Sequence, residues 1–421
     1  MTDCRAPSHR TADEVARASY GRLLARLARQ TRDIATAEEA LSEALLLALE
    51  HWPRSGVPDA PEAWLLTTAR RRHLNIVRHA TVRSEALPAL TILAEEQPEQ
   101  AVTDRRLELL FVCGHPAIDP AVRTPLMLQT VLGLSAKRIA EAFATAPATM
   151  SQQLVRAKAK IREAGLTFAV PGREALPERM PPVLDAIYAA FGTVWAEPEA
   201  DLAREALFLA DLLATALPEE PEPKGLLALI LFVIARAPAR GAGAAYVPLE
   251  AQDTTLWDRA RIAQAEALLA AASEAGRPGR YQIEAALQSL HMNQCLSGVA
   301  RPGEVLALYD LLAGLAPSLA VSVNRAAALT RADRPEAALS ALDALPDATV
   351  AGYQPFWATL AETRRRLGQT GRAVEAYDRA IDLAPDAATR SFLEGRRGGC
   401  APRTAPQNSR PIVTDAQRNA I

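Results

Sequence analysis

Residues 134–165 read LSAKRIAEAFATAPATMSQQLVRAKAKIREAG, and this stretch predicts two helices joined by a short turn. Ser135 is a suitable N-cap for the first helix, whose apolar stripe passes through Ile139. Pro147 disfavours the helical conformation in the residue before it, so the first helix is expected to end before this proline. Thr149 then offers a hydroxyl group to cap the second helix.

The predicted second helix is amphipathic. Its inward-facing residues recur at spacings of three and four, and they are Met150, Leu154, Ala157 and Ile161. The residues expected on its outer face are Ser151, Gln152, Gln153, Arg156, Lys158, Lys160 and Arg162. Gln side chains read base edges and cationic side chains hold phosphates, so the pattern suits a DNA-binding helix-turn-helix. An ordinary helical hairpin with a solvated polar face would have the same pattern.

The composition indicates an all-α protein. The 421 residues include only 5% aromatics, and few stretches show the alternation of β-branched residues that is typical of strands. The net charge of −2 excludes a basic surface over the whole protein, so any nucleic-acid surface must be local. The four cysteines form no CxxC pair, which argues against a zinc site or a disulfide scaffold and fits a reducing cytoplasm.

Neither a signal peptide nor a membrane span is expected. The N-terminus lacks an apolar core behind a basic start. The most apolar run, 225–235, is much shorter than the about 20 residues that cross a bilayer. It therefore predicts a buried helix, and we expect a cytoplasmic protein with no membrane association.

Residues 11–80 predict a first helical domain, with helices over 11–27, 34–52 and 62–80. The second helix has one apolar face and carries the carboxylates Glu38, Glu39 and Glu43 on another. Segment 53–61 holds three prolines and a glycine and predicts a loop. The third helix begins near Trp64 and ends in a basic half, which suits either the helix dipole or a nucleic-acid backbone.

The remaining chain divides at Pro- and Gly-containing segments. Residues 81–103 predict a linker, because they hold two prolines and an acidic-polar cluster. Residues 104–168 predict a second helical domain that ends in the helix-turn-helix. Residues 176–396 predict a long helical extension, and 397–421 lack apolar periodicity and predict a disordered tail.

A repeat is visible near the end of the extension. The segment 357–385, WATLAETRRRLGQTGRAVEAYDRAIDLAP, has the tetratricopeptide (TPR) pattern of a helix pair. A degenerate copy, 323–346, lies about 36 residues earlier, with Ala337 in the place of Ala373. Two such units do not form a stable array, so the helices of 176–320 are expected to complete the stack.

Three motifs, in this order, resemble extracytoplasmic-function (ECF) sigma factors, which are two-domain promoter-specificity subunits of bacterial RNA polymerase. The first comprises Arg32-Asp33, Ala37-Glu38-Glu39-Ala40 and Glu43-Ala44, and it is similar to part of region 2. The second, Trp64-Leu65-Leu66-Thr67-Thr68-Ala69-Arg70-Arg71-Arg72, is similar to the region 2 pattern W-L-x-x-I-A-R-N. The third is the helix-turn-helix, which is similar to region 4.

The extension resembles that of one ECF subgroup, which carries a C-terminal domain with TPR repeats. The stretches 111–116, 252–259 and 281–282 also look like that subgroup. Two positions depart from the pattern. Arg71 stands where region 2 often has Asn, and 192–195 (GTVW) replaces a more polar stretch.

The resemblance implies partners and site residues. The β′ clamp helices and the β flap of core polymerase would be partners. The residues of this chain that would bind polymerase are Glu38, Glu39 and Glu43. Promoter DNA would be held at the −35 element by Thr149, Ser151, Gln152, Gln153, Arg156 and Lys160. It would be held at the −10 element, beside the 53–61 loop, by Trp64, Arg70, Arg71, Arg72 and Arg78. A Trp near the start of a helix is, however, more often an anchor of the core than a platform on which a base stacks.

Nothing in the sequence predicts catalysis, a metal or a cofactor. Cys113 and His115 have no further ligand nearby, and a buried thiol and a turn histidine explain them better. Asp253, Asp258 and His291 come with no nucleophile elbow or phosphate-binding loop. We therefore expect a protein that is not an enzyme.

The main hypothesis is a sigma factor whose helical extension regulates it and offers a surface for a protein partner. The second is a TPR-type scaffold that no longer binds polymerase. The third is a helix-turn-helix repressor, which would bind a palindrome as a dimer. The region 2 motifs argue against the third.

Overall fold

The computed structural model describes residues 19–81, 104–193, 200–240 and 246–400, with the side chains of 75–81, 193 and 200–201 left out. Every regular element in these ranges is a helix, which confirms the all-α prediction. The predicted linker falls almost wholly between the first two ranges. The start of the first predicted helix and residues 401–421 of the predicted tail also lie outside the described residues.

The chain forms two compact units, the first ending at Ile230. The helices of the first unit are α1 (19–31), α2 (Ile34–Ser55), α3 (Pro61–Thr81), α4 (Arg106–Cys113), α5 (Pro120–Thr130), α6 (Ala136–Ala142), α7 (Pro147–Glu163), α8 (Leu176–Thr193) and α9 (Ala200–Ala216). The boundary falls inside α10 (Pro221–Ala235). The domain limits 11–80, 104–168 and 176–396 stay predictions.

The predicted loop after α2 is shorter than expected, because Pro53 lies inside the helix. Pro53 has no N–H for the carbonyl of Leu49, so one helical hydrogen bond is lost, and two further bonds close the last turn after it. The hydroxyl of Ser55 donates to the carbonyl of His51 (3.0 Å), and the N–H of Gly56 donates to that of Trp52 (3.0 Å). Gly56, with a φ of 82°, then ends the helix, as glycine readily does.

The helix-turn-helix begins as predicted, and its second helix starts earlier than predicted. The Ser135 hydroxyl accepts the N–H of Arg138 (3.3 Å), which confirms it as the N-cap of α6. Helix α7 starts at Pro147, with Ala146 as an N-cap that makes no side-chain hydrogen bond, so Thr149 is not the cap. Proline suits the first helical position because it has no N–H group to satisfy.

Within the first unit, α8 and α9 pack against the helices that precede the helix-turn-helix. Arg179 of α8 donates to the backbone carbonyl of Phe111 in α4 (2.5 Å). Arg106 of α4 is buried, forms ion pairs with Asp104 and with Glu205 of α9, and lies over the ring of Phe208. The start of the predicted extension thus belongs to the same compact unit as α4 and α5.

The second unit contains α11 (Arg259–Ser273), α12 (Arg280–Ser297), α13 (Pro302–Leu315), α14 (Leu319–Arg331), α15 (Pro335–Asp343), α16 (Asp347–Val350), α17 (Gln354–Arg366), α18 (Thr370–Asp382) and α19 (Ala387–Gly398). Within it α12 packs against α13, α14 against α15 and α17 against α18, and α14 also contacts α17. One apolar core runs from α14 to α19.

The helix pairs of the second unit repeat every 35 residues. Gly298, Asp333 and Gly368 are spaced by this period, and each has a positive φ (73°, 59° and 71°) just after the first helix of a pair. At the second and third turns the same bond recurs: the N–H of Arg334 binds the carbonyl of Leu329 (3.0 Å), and the N–H of Gln369 binds that of Arg364 (2.9 Å). Such 6→1 bonds are typical of the Schellman motif, in which an α-helix ends at a residue with the left-handed backbone conformation.

The period corrects the sequence alignment of the two copies by one residue. Helices α14 and α17 begin at Leu319 and Gln354, 35 positions apart, so Ala338 and not Ala337 corresponds to Ala373. Ala338 and Ala373 are both fully buried, whereas Ala337 is only partly buried. The shift matters because one residue turns a helical side chain by about 100°.

Two further predictions concern the apolar run and the tail. Residues 225–235 lie in α10 and are largely buried, as predicted. No helix among the described residues is long and apolar enough to cross a membrane. Helix α19 continues to Gly398, beyond the predicted start of the tail, and Cys400 is buried against the core of the second unit.

Candidate nucleic-acid interface

Helix α7 exposes the face that the sequence assigned to the −35 element. The exposed side chains are those of Thr149, Ser151, Gln152, Arg156 and Lys160, and that of Gln153 is half-buried. Met150, Leu154, Ala157 and Ile161 are buried beneath them, as predicted. The hydroxyl of Ser151 donates to the carbonyl of Pro147 (2.9 Å), so this side chain meets a ligand mainly as an acceptor.

Lys158 is not on the outer face of α7, contrary to the prediction. Its ammonium group is buried and contacts Glu38 Oε2 of α2 at 2.5 Å. The position follows Leu154 by four residues and precedes Ile161 by three, which places it on the inner face of the helix. Its charge, rather than its spacing, led to the wrong assignment.

Val155 is a residue that the sequence assignment missed. Its side chain is 66% exposed, between the exposed Gln152 and Arg156. An apolar side chain on a helix that reads DNA is able to contact the methyl group of thymine. The helical spacing alone would have placed Val155 on this face, three residues after Gln152 and one before Arg156.

The three carboxylates of α2 do not form one free row. Glu38 binds Lys158, and Glu43 lies 3.6 Å from the Arg72 guanidinium of α3. Glu39 is exposed. On the same side of α2, Leu46 and Leu49 are also exposed, and their spacing of seven and ten residues from Glu39 places them on one helix face.

Trp64 lies half-buried at the start of α3, against the end of α2. Its ring meets the ring of the buried Trp52 edge-on, with 5.6 Å between centroids and 65° between planes. Edge-to-face pairs of this kind stabilise cores by about 0.5–1.5 kcal/mol beyond the area they bury. The contact favours the core-anchoring role of Trp64 over the stacking of a base.

The arginines of α3 point in different directions. The Nε of Arg70 donates to Gln30 of α1 (3.0 Å), Arg72 lies near Glu43, and Arg71 is exposed. The side chain of Arg78, the last arginine assigned to the −10 element, lies outside the described residues. The structure therefore brings Arg70 and Arg72 into contacts within the first domain and leaves Arg71 open to a ligand.

The two halves of the assigned interface meet closely. A Cβ on Gly21 of α1 would lie 2.0 Å from the carbonyl oxygen of Val131, and the ring of Tyr20 lies against Gly133. Burial, with a contribution from the charge of Glu38, raises the pKa of Tyr20. Only a glycine allows so close an approach of α1 to the turn after α5.

The side chains considered for metal binding or hydrolysis have structural partners. Cys113 is buried beside the Thr130 hydroxyl, and burial raises the pKa of its thiol to about 12. His115 accepts the N–H of Ala117 (3.1 Å) within a turn.

Two aspartates of the second unit act as caps. Asp253 accepts the N–H of Thr255 (2.9 Å) at the start of a 3-10 turn, and Asp258 caps α11 through the N–H of Arg261 (3.0 Å). Within the described ranges, no three His, Cys, Asp or Glu side chains are grouped as metal ligands.

Comparisons with known proteins identify two parts of the chain. Residues 17–82 match the model of sigma-70 region 2, and residues 179–273 match a family of unknown function, DUF6596. An uncharacterized protein of Rhizobium meliloti (strain 1021) is 38% identical over 384 residues, which cover 87% of this chain and 90% of the rhizobial one. No solved structure matches the chain.

Proposed function

The chain belongs to the same family as the rhizobial protein and contains a sigma-70 region 2, and we propose that it is an ECF-type sigma factor. Region 2 supports a sigma-70-type factor that acts with core RNA polymerase at promoters. Beyond this, we assign −35 recognition to α6 and α7, and regulation to the helical extension. Its work would be cytoplasmic and non-enzymatic, since polymerisation belongs to the polymerase.

The observation that carries the −35 assignment is the exposed face of α7. Gln152, Arg156 and Lys160 follow one another at spacings of four, so they form one stripe along the helix, and all three are exposed. A Gln or Arg side chain binds base edges with two hydrogen bonds, whereas Lys holds a phosphate as a point charge. The stripe thus combines base readout near the start of the helix with backbone binding near its end.

The exposed side of α2 fits a protein partner. Glu39, Leu46 and Leu49 together offer one charge and two apolar side chains on a helix that is otherwise packed into the domain. Isolated exposed leucines are common on protein surfaces, but two on one stripe beside a carboxylate suit a helix-to-helix contact. We assign this stripe to core polymerase.

The second unit suits a regulatory role through protein binding. Its 35-residue period and stacked helix pairs have the size and order of TPR repeats, which use extended surfaces to hold other proteins. A factor that carries such a domain in the same chain would be controlled in cis.

Transcription in vitro with purified core polymerase tests the proposal. The full chain should direct initiation from a subset of genomic fragments, and core polymerase alone should not. A helix-turn-helix repressor would instead bind a palindrome as a dimer without polymerase. A scaffold that no longer works with polymerase would neither bind the core enzyme nor yield promoter-dependent transcript from any fragment.

A further inference from the structure

The contact between α2 and α7 is built around one buried ion pair. Lys158 Nζ lies 2.5 Å from Glu38 Oε2, and the two side chains are only 8% and 20% exposed. A second pair, Arg162 and Asp33 (3.5 Å), lies at the more exposed edge of the same contact. These two pairs join the helix assigned to −35 DNA to the helix assigned to polymerase.

Close packing surrounds the ion pair. Gly21 and Tyr20 of α1 fit against Val131 and Gly133, with no space for a Cβ at position 21. On the other side of α1, Arg29 lies 3.5 Å from Glu108 of α4. Three separate points of contact therefore hold the first helical domain against the helices that carry the helix-turn-helix.

With α2 packed against α7, the two helices lie too close together to bind the −10 and −35 elements at the same time. Positions −35 and −10 are separated by roughly 25 base pairs, or about 85 Å at about 3.4 Å each. Packed helices have axes only about 8–10 Å apart. The 22 residues of 82–103 between the two groups of helices reach about 75 Å when extended, which with the width of the helical domains is enough to span the elements.

We propose that the α2–α7 contact is a latch that holds the protein in a closed, inactive state. The inference rests on the proposed function and extends it by one residue: Glu38 lies eleven residues before Leu49, at the edge of the α2 stripe assigned to polymerase, and we take it as part of that polymerase-binding side. In the closed state Lys158 occupies Glu38, so polymerase binding and the latch compete for one carboxylate. Opening releases Lys158 and lets α7 move away to the −35 element.

The latch pair is suited to opening. Taking two charges out of water costs free energy that their attraction repays only when the remaining hydrogen bonds are also made. Glu38 Oε1 is buried and has no hydrogen-bond partner among the described residues, so the ion pair offsets only part of the cost of removing its charges from water. Removing one charge, however, leaves the other buried and alone, which strongly disfavours the closed state.

A distance measurement in the full chain tests the latch without polymerase or DNA. Spin labels are attached to unnatural amino acids at the exposed positions Ser42 of α2 and Glu163 of α7, because the native cysteines would otherwise react. The unmodified chain should give one short distance. Lys158→Glu should move most molecules to long distances, and the charge swap Glu38→Lys with Lys158→Glu should restore the short one.

Lys160→Glu is the matched control, since it makes the same charge change on the exposed face of α7 and should stay closed. Short distances in Lys158→Glu would overturn the latch. So would a change to long distances in Lys160→Glu as well, because a general charge effect would then explain the opening.

Polymerase affinity tests whether the closed state is inactive. If about nine molecules in ten are closed, Lys158→Met should bind core polymerase about tenfold more tightly than the unmodified chain. An affinity equal to that of the unmodified chain, in a variant shown to be open, would overturn the inhibitory role. Failure of every form to bind polymerase would refute the proposed function, while the distances would still decide whether the latch exists.

Discussion

Gly21→Ala tests the close packing of the first unit, because packing and helix propensity predict opposite signs for its effect on stability. Gly21 lies within α1, where alanine is normally favoured over glycine by about 1 kcal/mol. The new Cβ would lie 2.0 Å from the carbonyl oxygen of Val131 and 2.9 Å from its carbonyl carbon. Helix propensity and packing therefore predict opposite effects at this position.

Packing should win, because the obstructing atoms belong to the backbone and cannot rotate away. Restoring an ordinary contact of at least 3.4 Å requires α1 and the turn after α5 to separate by about 1.4 Å. Overpacking costs about 1–3 kcal/mol, and a clash with backbone atoms belongs to the upper part of that range, about 2–3 kcal/mol. After the gain in helix propensity, we expect a net destabilisation of about 1–2 kcal/mol. Backbone amides of α1 and α5 should then exchange with deuterium about tenfold faster.

Hydrogen exchange measured by mass spectrometry checks this locally, without assuming that the two units unfold together. Gly192→Ala is the matched control: it lies in the same unit, on a helix, with no atom within 4 Å of the new Cβ. Its exchange should be unchanged or slower. Exchange in Gly21→Ala as slow as in the unmodified chain would refute the close approach of α1 to Val131.

Two further predictions concern α7 and the second unit. If Val155 contacts a thymine methyl group, replacing the thymines of the −35 element by deoxyuridine should weaken binding of the holoenzyme about fourfold, as loss of one buried methyl group would. Val155→Ala should bind thymine-containing and deoxyuridine-containing DNA equally well. If deoxyuridine weakened binding of Val155→Ala as much as binding of the unmodified chain, the contact would be contradicted. Burial alone would raise the pKa of Glu362, but hydrogen bonds and charge from Arg365 and Arg396 lower it to about 2. Its stabilising effect should therefore be complete above the ordinary pKa of about 4.5 and fade as the pH falls toward 2. Glu362→Gln should destabilise the second unit at pH 6. This destabilisation should disappear as the pH falls toward 2, as followed by hydrogen exchange of α17–α19. A penalty that is the same at both pH values would contradict this.

Much of the fold could be predicted because local rules decide it. Ser135 fixes where the first helix of the hairpin begins, Pro147 requires that helix to end before it, and apolar residues at spacings of three and four fix which face is buried. Pro53 escaped these rules. A proline close to a helix end removes only one backbone hydrogen bond, and here a nearby hydroxyl and a glycine N–H bind the carbonyls that follow, which depends on the geometry of the turn.

The site is harder to predict because a charged side chain is not always exposed. Lys158 and Glu38 each looked like a surface residue on its own helix, and only the packing of α7 on α2 turns them into a buried pair. The two residues are 120 positions apart in the chain, so no local sequence pattern contains the contact. The exposed Arg156, by contrast, has no such partner helix in the part of the chain that the structure describes, and its helical position alone predicts its place.

The assignment of α7 to promoter DNA and of α2 to polymerase is tested most directly by Arg156→Ala. One assay measures binding to core polymerase, and the other measures initiation from a promoter that the full chain recognises. Arg173→Ala, an exposed arginine beyond the end of α7, serves as the control.

Initiation should fall by about 5- to 150-fold in Arg156→Ala, as expected for loss of one base-reading side chain worth about 1–3 kcal/mol, while core binding stays unchanged. Arg173→Ala should keep both activities. An equal fall in core binding, or initiation at the unmodified level in Arg156→Ala, would contradict the assignment of this helix to DNA.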